Sequence, residues 1–291
     1  MNTVGILSPG DMGHTVGQRL REHGLRVIAY LADRSARTRQ LAAKAGIEEV
    51  SSYEILVQDA DIVLSILVPA QAAAAAQKVA EALNRTGAEL LFADCNAIAP
   101  QTTRRIGEVV EDAGGHFVDA SIIGPPPRRE GTTRFYASGT QAEELARLSE
   151  YGLDVPVVSG RVGDASAVKM CYAGLTKGLT ALCTELLVAA EALGVRRALL
   201  EEYSTSQAAM LQRIEGGLPG MPPKSRRWIG EMEEIAATMA SVGLTPKFHE
   251  AAAEMYRFVG GTSLADRTPE DPGEPNLEEM LQVLVDDLKA D

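Results

Sequence analysis

The chain has 291 residues, enough for two domains, and its 45% hydrophobic content supplies a substantial core. A formal net charge of −12 excludes a broad basic face for a nucleic-acid backbone. Cys95, Cys171 and Cys183 form no C-x-x-C pair and the four histidines have no ligand spacing, so neither a metal site nor a disulfide framework is expected; reduced thiols fit a cytoplasmic protein. No export signal stands at the N-terminus and no stretch reads as an uninterrupted membrane span, so no membrane partner is expected.

The first apolar strand, Thr3 to Leu7, runs into Ser8-Pro9-Gly10-Asp11-Met12-Gly13 and then an amphipathic segment, Val16 to His23. A strand, a glycine turn and a helix in that order predict a dinucleotide-binding turn. Gly10 lets the backbone approach a pyrophosphate, Gly13 lets the helix pack on the strand, and the helix N-terminus offers unpaired N–H groups. Ser8 stands where the first glycine of G-x-G-x-x-G is usual.

The second strand, Arg26 to Tyr30, leads into Leu31-Ala32-Asp33-Arg34-Ser35-Ala36-Arg37. Leu31 occupies the usual position of the acidic residue that accepts the ribose hydroxyls of NAD. Arg34, Ser35 and Arg37 can meet the additional phosphate of NADP, which is the expected cofactor. Asp33 keeps NAD possible, since it can still reach a ribose.

Further strands are expected at Asp61–Val68, Glu89–Ala93, His116–Ala120, Arg134–Ser138 and Val155–Val157, alternating with helical patterns such as Gln71–Leu83. Such alternation predicts an α/β fold, a doubly wound parallel sheet of Rossmann type. Past residue 160 the pattern is all-helical: Ala165 to Leu193, Arg197 to Ile214, Ser225 to Ser241, Pro246 to Val259 and Leu277 to Leu288. Gly216 to Pro223 and the acidic Thr268 to Pro275 interrupt it as loops. Domains of residues 1–160 and 161–291 are therefore expected.

The chain resembles the beta-hydroxyacid dehydrogenase superfamily, which holds 6-phosphogluconate and 3-hydroxyisobutyrate dehydrogenases and, more distantly, imine reductases. The likeness rests on Gly10-Asp11-Met12-Gly13, Ser65-Ile66-Leu67-Val68-Pro69, Asp94-Cys95-Asn96-Ala97-Ile98, Asp119-Ala120-Ser121-Ile122-Ile123-Gly124 and Gly163-Asp164-Ala165-Ser166-Ala167-Val168-Lys169, in that order. The second half, above all Arg227-Trp228-Ile229-Gly230-Glu231-Met232-Glu233, looks like a branch with a C-terminal domain of unknown function.

The resemblance implies a nicotinamide cofactor held by the turn, by Leu67 and Val68, and by Asn96. It implies hydride transfer at a carbonyl or hydroxyl carbon, with Lys169 as general acid or base and Tyr172 the next candidate. Ile123, Gly124, Pro125, Thr176, Trp228 and Glu231 are the implied substrate contacts.

Three departures point to an altered substrate. The family's asparagine four residues after the lysine is Ala173, its carboxylate-binding Ser-Gly-Gly is Ile123-Gly124-Pro125, and its later Lys-Asp pair falls on Gly230-Glu231, which lacks a cation. A hydroxy-acid-like substrate stays the first expectation and an imine the second; a protein that only senses NADP is the third. Arg128 and Arg129 are a candidate new anion contact. Lys177 shares the helical face of Lys169 but lies about 12 Å further along the axis. Leu175, Leu179, Leu182, Leu186 and Leu187 suggest a homodimer through the helical half.

Overall fold

The computed structural model describes residues 1–267, 273 and 275–288, which form two compact units, Met1–Met170 and Cys171–Asp291. The change of character near residue 160 is where the helical pattern begins; the units part ten residues later, inside a helix.

The first unit runs β1 (Thr3–Ile6), α1 (Asp11–Glu22), β2 (Arg26–Tyr30), α2 (Ala36–Ala45), β3 (Glu48–Val50), α3 (Tyr53–Asp59), β4 (Ile62–Ser65), α4 (Ala72–Thr86) and β5 (Leu91–Asp94). It continues with α5 (Pro100–Asp112), β6 (His116–Ile123), β7 (Arg134–Ser138), α6 (Ala142–Ala146), β8 (Val157–Ser159) and the first turns of α7 (Asp164–Ala192). The strands form one sheet in the order β3-β2-β1-β4-β5-β6-β7-β8. Every neighbouring pair is parallel except β6 and β7. The order reverses between β1 and β4, and a doubly wound sheet opens its ligand crevice at the carboxyl ends of the strands beside such a reversal.

Successive residues of β4 show why these strands read as apolar runs: Ile62 and Leu64 enter the core on one face with Val4, Val16 and Leu20. Val63 enters the core on the other face with Leu56, Val79, Phe92 and Phe117. Both faces are covered, as a parallel sheet requires. β3 was not expected, because Glu48 and Glu49 are exposed and only Val50 is buried, which leaves no alternation to read.

The second unit holds the rest of α7 with α8 (Arg196–Ser206), α9 (Ala208–Gly217), α10 (Ser225–Ser241), α11 (Lys247–Gly261) and α12 (Leu277–Leu288). Met232 and Ile235 of α10, Tyr256 and Val259 of α11, and Met280, Leu281 and Leu284 of α12 are buried. The single helix expected over Arg197–Ile214 is two, broken at Gln207, whose φ of −136° and ψ of 37° are not helical. Before the break, Ser204 and Thr205 donate to the Glu201 carbonyl and Ser206 to that of Glu202. Such bonds compete with the helical ladder. The loop expected from Gly216 begins two residues later, since α9 runs through Gly217. The Thr268–Pro275 connection lies outside the described residues apart from Gly273 and Pro275.

Contrary to the sequence expectation, α7 is long and apolar enough to cross a membrane by length and composition, with a window of mean hydropathy 1.3. Of that window 44% is buried inside the protein. A core helix satisfies the same measure, because what it buries is protein rather than lipid.

Candidate active site

The turn after β1 is built around two glycines with different duties. A Cβ on Gly13 would stand 2.3 Å from the Ser8 carbonyl oxygen, so only glycine lets α1 approach the strand this closely. Gly10 is the N-cap of α1 and supplies no side-chain cap. A Cβ there would meet nothing within 4 Å. The first-turn N–H groups of Asp11, Met12 and Gly13 therefore have no intrahelical or capping side-chain acceptor, and the space before Gly10 is open. This cradle fits a pyrophosphate. Asp11 would repel one, but Arg37 neutralises it through a 2.8 Å ion pair. Pro9 is buried, and Met12 packs against the core under the turn.

At the tip of β2, Leu31 is buried and offers no ribose acceptor. Asp33 is paired with Lys78 at 3.4 Å. Ser35 caps α2, accepting from the Thr38 N–H at 3.2 Å. Of the three residues expected to meet the phosphate, Ser35 and Arg37 thus hold local structure as well. The Arg34 guanidinium has no hydrogen-bond or ion-pair partner among the described residues.

Asn96 lies beneath the next loop. Its amide oxygen accepts from the Leu67 N–H at 2.5 Å, and its amide nitrogen donates to Ser65 Oγ at 2.9 Å and Asp94 Oδ2 at 3.1 Å. That fills the hydrogen-bonding capacity of the amide group except one oxygen lone pair. Asn96 therefore positions the backbone of Leu67 and Val68, with Val68 exposed.

Asp94 is fully enclosed, and burial pushes its pKa up to about 7, opposed by its bonds from Asn96 and reinforced by Asp119. Between the ordinary carboxylate pKa and 7 the folded chain keeps a proton that the unfolded chain has lost, so stability falls as pH rises through that window. Unfolding in urea should cost about 2–3 kcal/mol less at pH 8 than at pH 5 through this group. Asp94→Asn should flatten the difference; an unchanged pH profile in that variant would assign it elsewhere.

Lys169 sits in the second turn of α7, and its Nζ donates to the Ile122 carbonyl oxygen at 2.7 Å, near the carboxyl end of β6. The helix start is fixed by Asp119, buried in β6. Asp119 Oδ2 accepts from Ser138 Oγ at 2.9 Å, Gly163 N at 2.9 Å and Ser166 N at 3.0 Å, and Oδ1 accepts from Ser166 Oγ at 2.7 Å. A carboxylate at a helix N-terminus also meets the positive end of the dipole. Burial nevertheless leaves its pKa above the ordinary range.

After β6, Gly124 has a φ of 129° and a Cβ there would stand 2.3 Å from the Thr132 carbonyl oxygen, so the turn admits only glycine. The Pro125 carbonyl accepts from Thr133 Oγ1. Pro125 has no N–H to give a carboxylate, and Ile123, partly buried, has no hydroxyl. Arg128 and Arg129 are exposed on the same loop.

The structure thus gathers the glycine turn, the Leu67–Val68 loop and Lys169 in the first unit. Tyr172, Thr176, Trp228 and Glu231 belong to the second. Tyr172 is exposed, and the Thr176 hydroxyl donates to the Tyr172 carbonyl of its own helix at 3.2 Å. Glu231 is paired with Lys177, the two side chains only 8% and 13% exposed, and lies 3.6 Å from Arg227. The cation missing from Gly230-Glu231 is therefore supplied from α7. Lys177 Nζ stands 5.3 Å from the Trp228 ring centroid, and Trp228 meets Tyr256 edge-on at 5.3 Å. Tyr256 in turn donates to the Lys177 carbonyl at 2.7 Å. Sequence reading named Asp119 and Ser166 within motifs and Lys177 beside Lys169 but gave none of them these partners, and it did not single out Tyr256; the signal at Asp119 was a lone acid inside an apolar strand. Among the described residues no group of three or more His, Cys, Asp or Glu is placed to hold a metal ion.

Residues 3–151 match the NAD binding domain of 6-phosphogluconate dehydrogenase, and residues 190–259 match a domain of unknown function, DUF1932. The chain is 27% identical over 257 residues to an uncharacterized 28.5 kDa protein of Methanothermus fervidus, covering 88% of this chain and 98% of that one. It is 30% identical over 174 residues to mitochondrial 3-hydroxyisobutyrate dehydrogenase of Bos taurus, spanning 58% of this chain and about half, 51%, of that enzyme. A solved conserved protein of unknown function, described as structurally similar to 3-hydroxyacid dehydrogenases, superposes with a TM-score of 0.65 at 31% identity, covering 89% of this chain and 99% of that one. The chain belongs to the beta-hydroxyacid dehydrogenase superfamily, in a branch that joins the NAD-binding domain of 6-phosphogluconate dehydrogenase to a C-terminal domain of unknown function.

Proposed function

We propose that the chain is an NADP-dependent oxidoreductase acting on a carbonyl or hydroxyl carbon of a hydroxy-acid-like substrate in the cytoplasm, with Lys169 moving the proton. The observation that carries this reading is the Lys169 ammonium fixed on the Ile122 carbonyl at the carboxyl edge of the sheet that bears the glycine cradle. The cofactor would supply or accept the hydride when bound. As a carbonyl is reduced, negative charge develops on its oxygen, and a positioned ammonium stabilises that charge and delivers the proton there. In oxidation the same nitrogen takes the proton from the hydroxyl. Steady-state turnover of a panel of hydroxy acids and their carbonyl counterparts, followed by NADPH absorbance, tests the reading.

Preference for NADP over NAD rests on the Arg34 guanidinium, which has no partner among the described residues, and on the burial of Leu31. Arg34→Ala should raise the Kd for NADP about tenfold, the scale of one charge-assisted contact, and leave NAD nearly unchanged. Equal weakening of both, by fluorescence titration, would show that the arginine does not read the phosphate.

A second reading, imine reduction, is favoured by Ile123-Gly124-Pro125, which gives a carboxylate no anchor, and by Ala173, buried where the family has asparagine. A cyclic imine panel run beside the carbonyl panel separates the two.

We also propose a homodimer. Leu187 faces inward, but Leu175, Leu182 and Leu186 lie exposed along α7 and Leu193 in the turn just past its end, Leu175 at 67% and Leu193 at 75%. Their spacing of seven, four and seven residues makes one apolar stripe, which a second copy would cover. Light scattering at micromolar concentration should give twice the chain mass, and Leu182→Glu with Leu186→Glu should halve it; a monomer in the unaltered protein would end the proposal.

A further inference from the structure

Within the second unit lies a cavity of about 290 Å³, lined by Thr176, Lys177, Cys183, Met210, Arg213 and Trp228, with leucine, isoleucine, threonine and glycine completing the wall. No carboxylate lines it, although the chain as a whole carries a net charge of −12. Lys177 and Arg227 both reach Glu231 beside the cavity. Arg213 adds a further positive charge and has no hydrogen-bond or ion-pair partner among the described residues.

Trp228 adds an independent observation. Its indole N–H is buried with no hydrogen-bond acceptor among the described residues. Buried donors in folded proteins are paired, and one left open beside a cavity calls for an acceptor brought by something else. The cavity is at the small end of ligand-site volumes, mostly apolar with a few polar groups, as such sites are.

We propose that this cavity binds a small monocarboxylate with an apolar body, its negative end on Arg213 and an acceptor atom for the Trp228 N–H. The apolar wall of Leu179, Ile214 and Leu218 takes the body of the ligand. One unpartnered guanidinium matches one carboxylate, which it holds through two parallel bonds. The site is built by the second unit alone and does not depend on hydride transfer.

Trp228 is the single tryptophan of the chain, so its fluorescence reports this cavity without any turnover. The probes are phenylacetate, its neutral isostere phenylacetamide, and inorganic phosphate. Phenylacetate should change the emission saturably at millimolar concentration or below, with the amide and phosphate each at least about tenfold weaker. Arg213→Met should weaken phenylacetate about tenfold and Arg213→Lys, which keeps the charge but loses the two-bond fork, should recover only part of that, with far-ultraviolet circular dichroism confirming that both fold. Cys183 lines the same cavity, and phenylacetate should slow its alkylation by iodoacetamide in a Cys171→Ser background. No saturable response, an equal response to the amide or to phosphate, or full binding by folded Arg213→Met would each overturn the proposal. An enzyme that turns over nothing in the oxidoreductase panels would leave these results standing.

Discussion

Lys169→Ala is expected to lower kcat by about a hundredfold or more, the scale of general acid catalysis, while the Kd for NADP changes less than about twofold. The separation follows from position. The glycine cradle follows β1, whereas the ammonium is held on Ile122 of β6, three strands across the sheet order and roughly 14 Å away at the usual strand spacing. Lys169→Arg should not restore the rate, because guanidinium keeps its proton at any accessible pH and cannot cycle as acid and base. Lys177 cannot replace the lost ammonium. It lies about 12 Å further along α7, by the helical rise. Its charge is also committed to Glu231 in a pair that is nearly buried. That commitment makes Lys177 a poor neutral control, since its removal would strand the Glu231 carboxylate. Full turnover by Lys169→Ala on the true substrate would make Lys169 structural, and Tyr172→Phe would then be the variant to measure.

How much of this was legible beforehand depends on the kind of signal each part leaves. The parallel sheet was legible because strands buried on both faces read as apolar runs, and β2 and β7 begin and end where the run does. β3 left no such signal, since an edge strand with two exposed glutamates has one buried residue to show. The glycine turn was legible for a steric reason, now visible in the 2.3 Å between a Gly13 Cβ and the Ser8 carbonyl. Asn96 could be placed at the strand end, but not its orientation: the motif does not say whether an amide points outward to a ligand or inward to hold a loop. Glu231 showed the same limit more sharply. Sequence spacing within α10 offers only Arg227, four residues before it and 3.6 Å away, whereas the lysine that pairs with it in the nearly buried contact comes from α7, 54 residues earlier. Pairings between helices leave no periodic trace, so the second unit was legible as helices and much less so as a site.

Asp119→Ala is expected to cost about 3–5 kcal/mol of folding stability, the range for removing one member of a buried, fully bonded charged cluster. The carboxylate takes bonds from two serine hydroxyls and two backbone N–H groups. The hydroxyls of Ser138 and Ser166 can rotate toward other acceptors. The N–H groups of Gly163 and Ser166 cannot, and each buried donor left open costs about 1–3 kcal/mol. Asp119→Asn should be milder, about 1–2 kcal/mol, because the amide oxygen keeps the three donors on Oδ2 and Ser166 Oγ need only reverse from donor to acceptor. Its hydrogen can then turn to Thr103 Oγ1, which already lies 2.8 Å away. Thr103→Val removes only that outer bond and should cost about 1 kcal/mol. Urea unfolding of the three variants at one pH gives the order. The alanine variant should also lose turnover more than cofactor affinity, because the start of α7 frays and Lys169, one turn on, loses its fixed place over Ile122. If Asp119→Ala unfolds no more easily than Thr103→Val, the buried carboxylate does not anchor the helix, and the aim of Lys169 must be set by the helix packing alone.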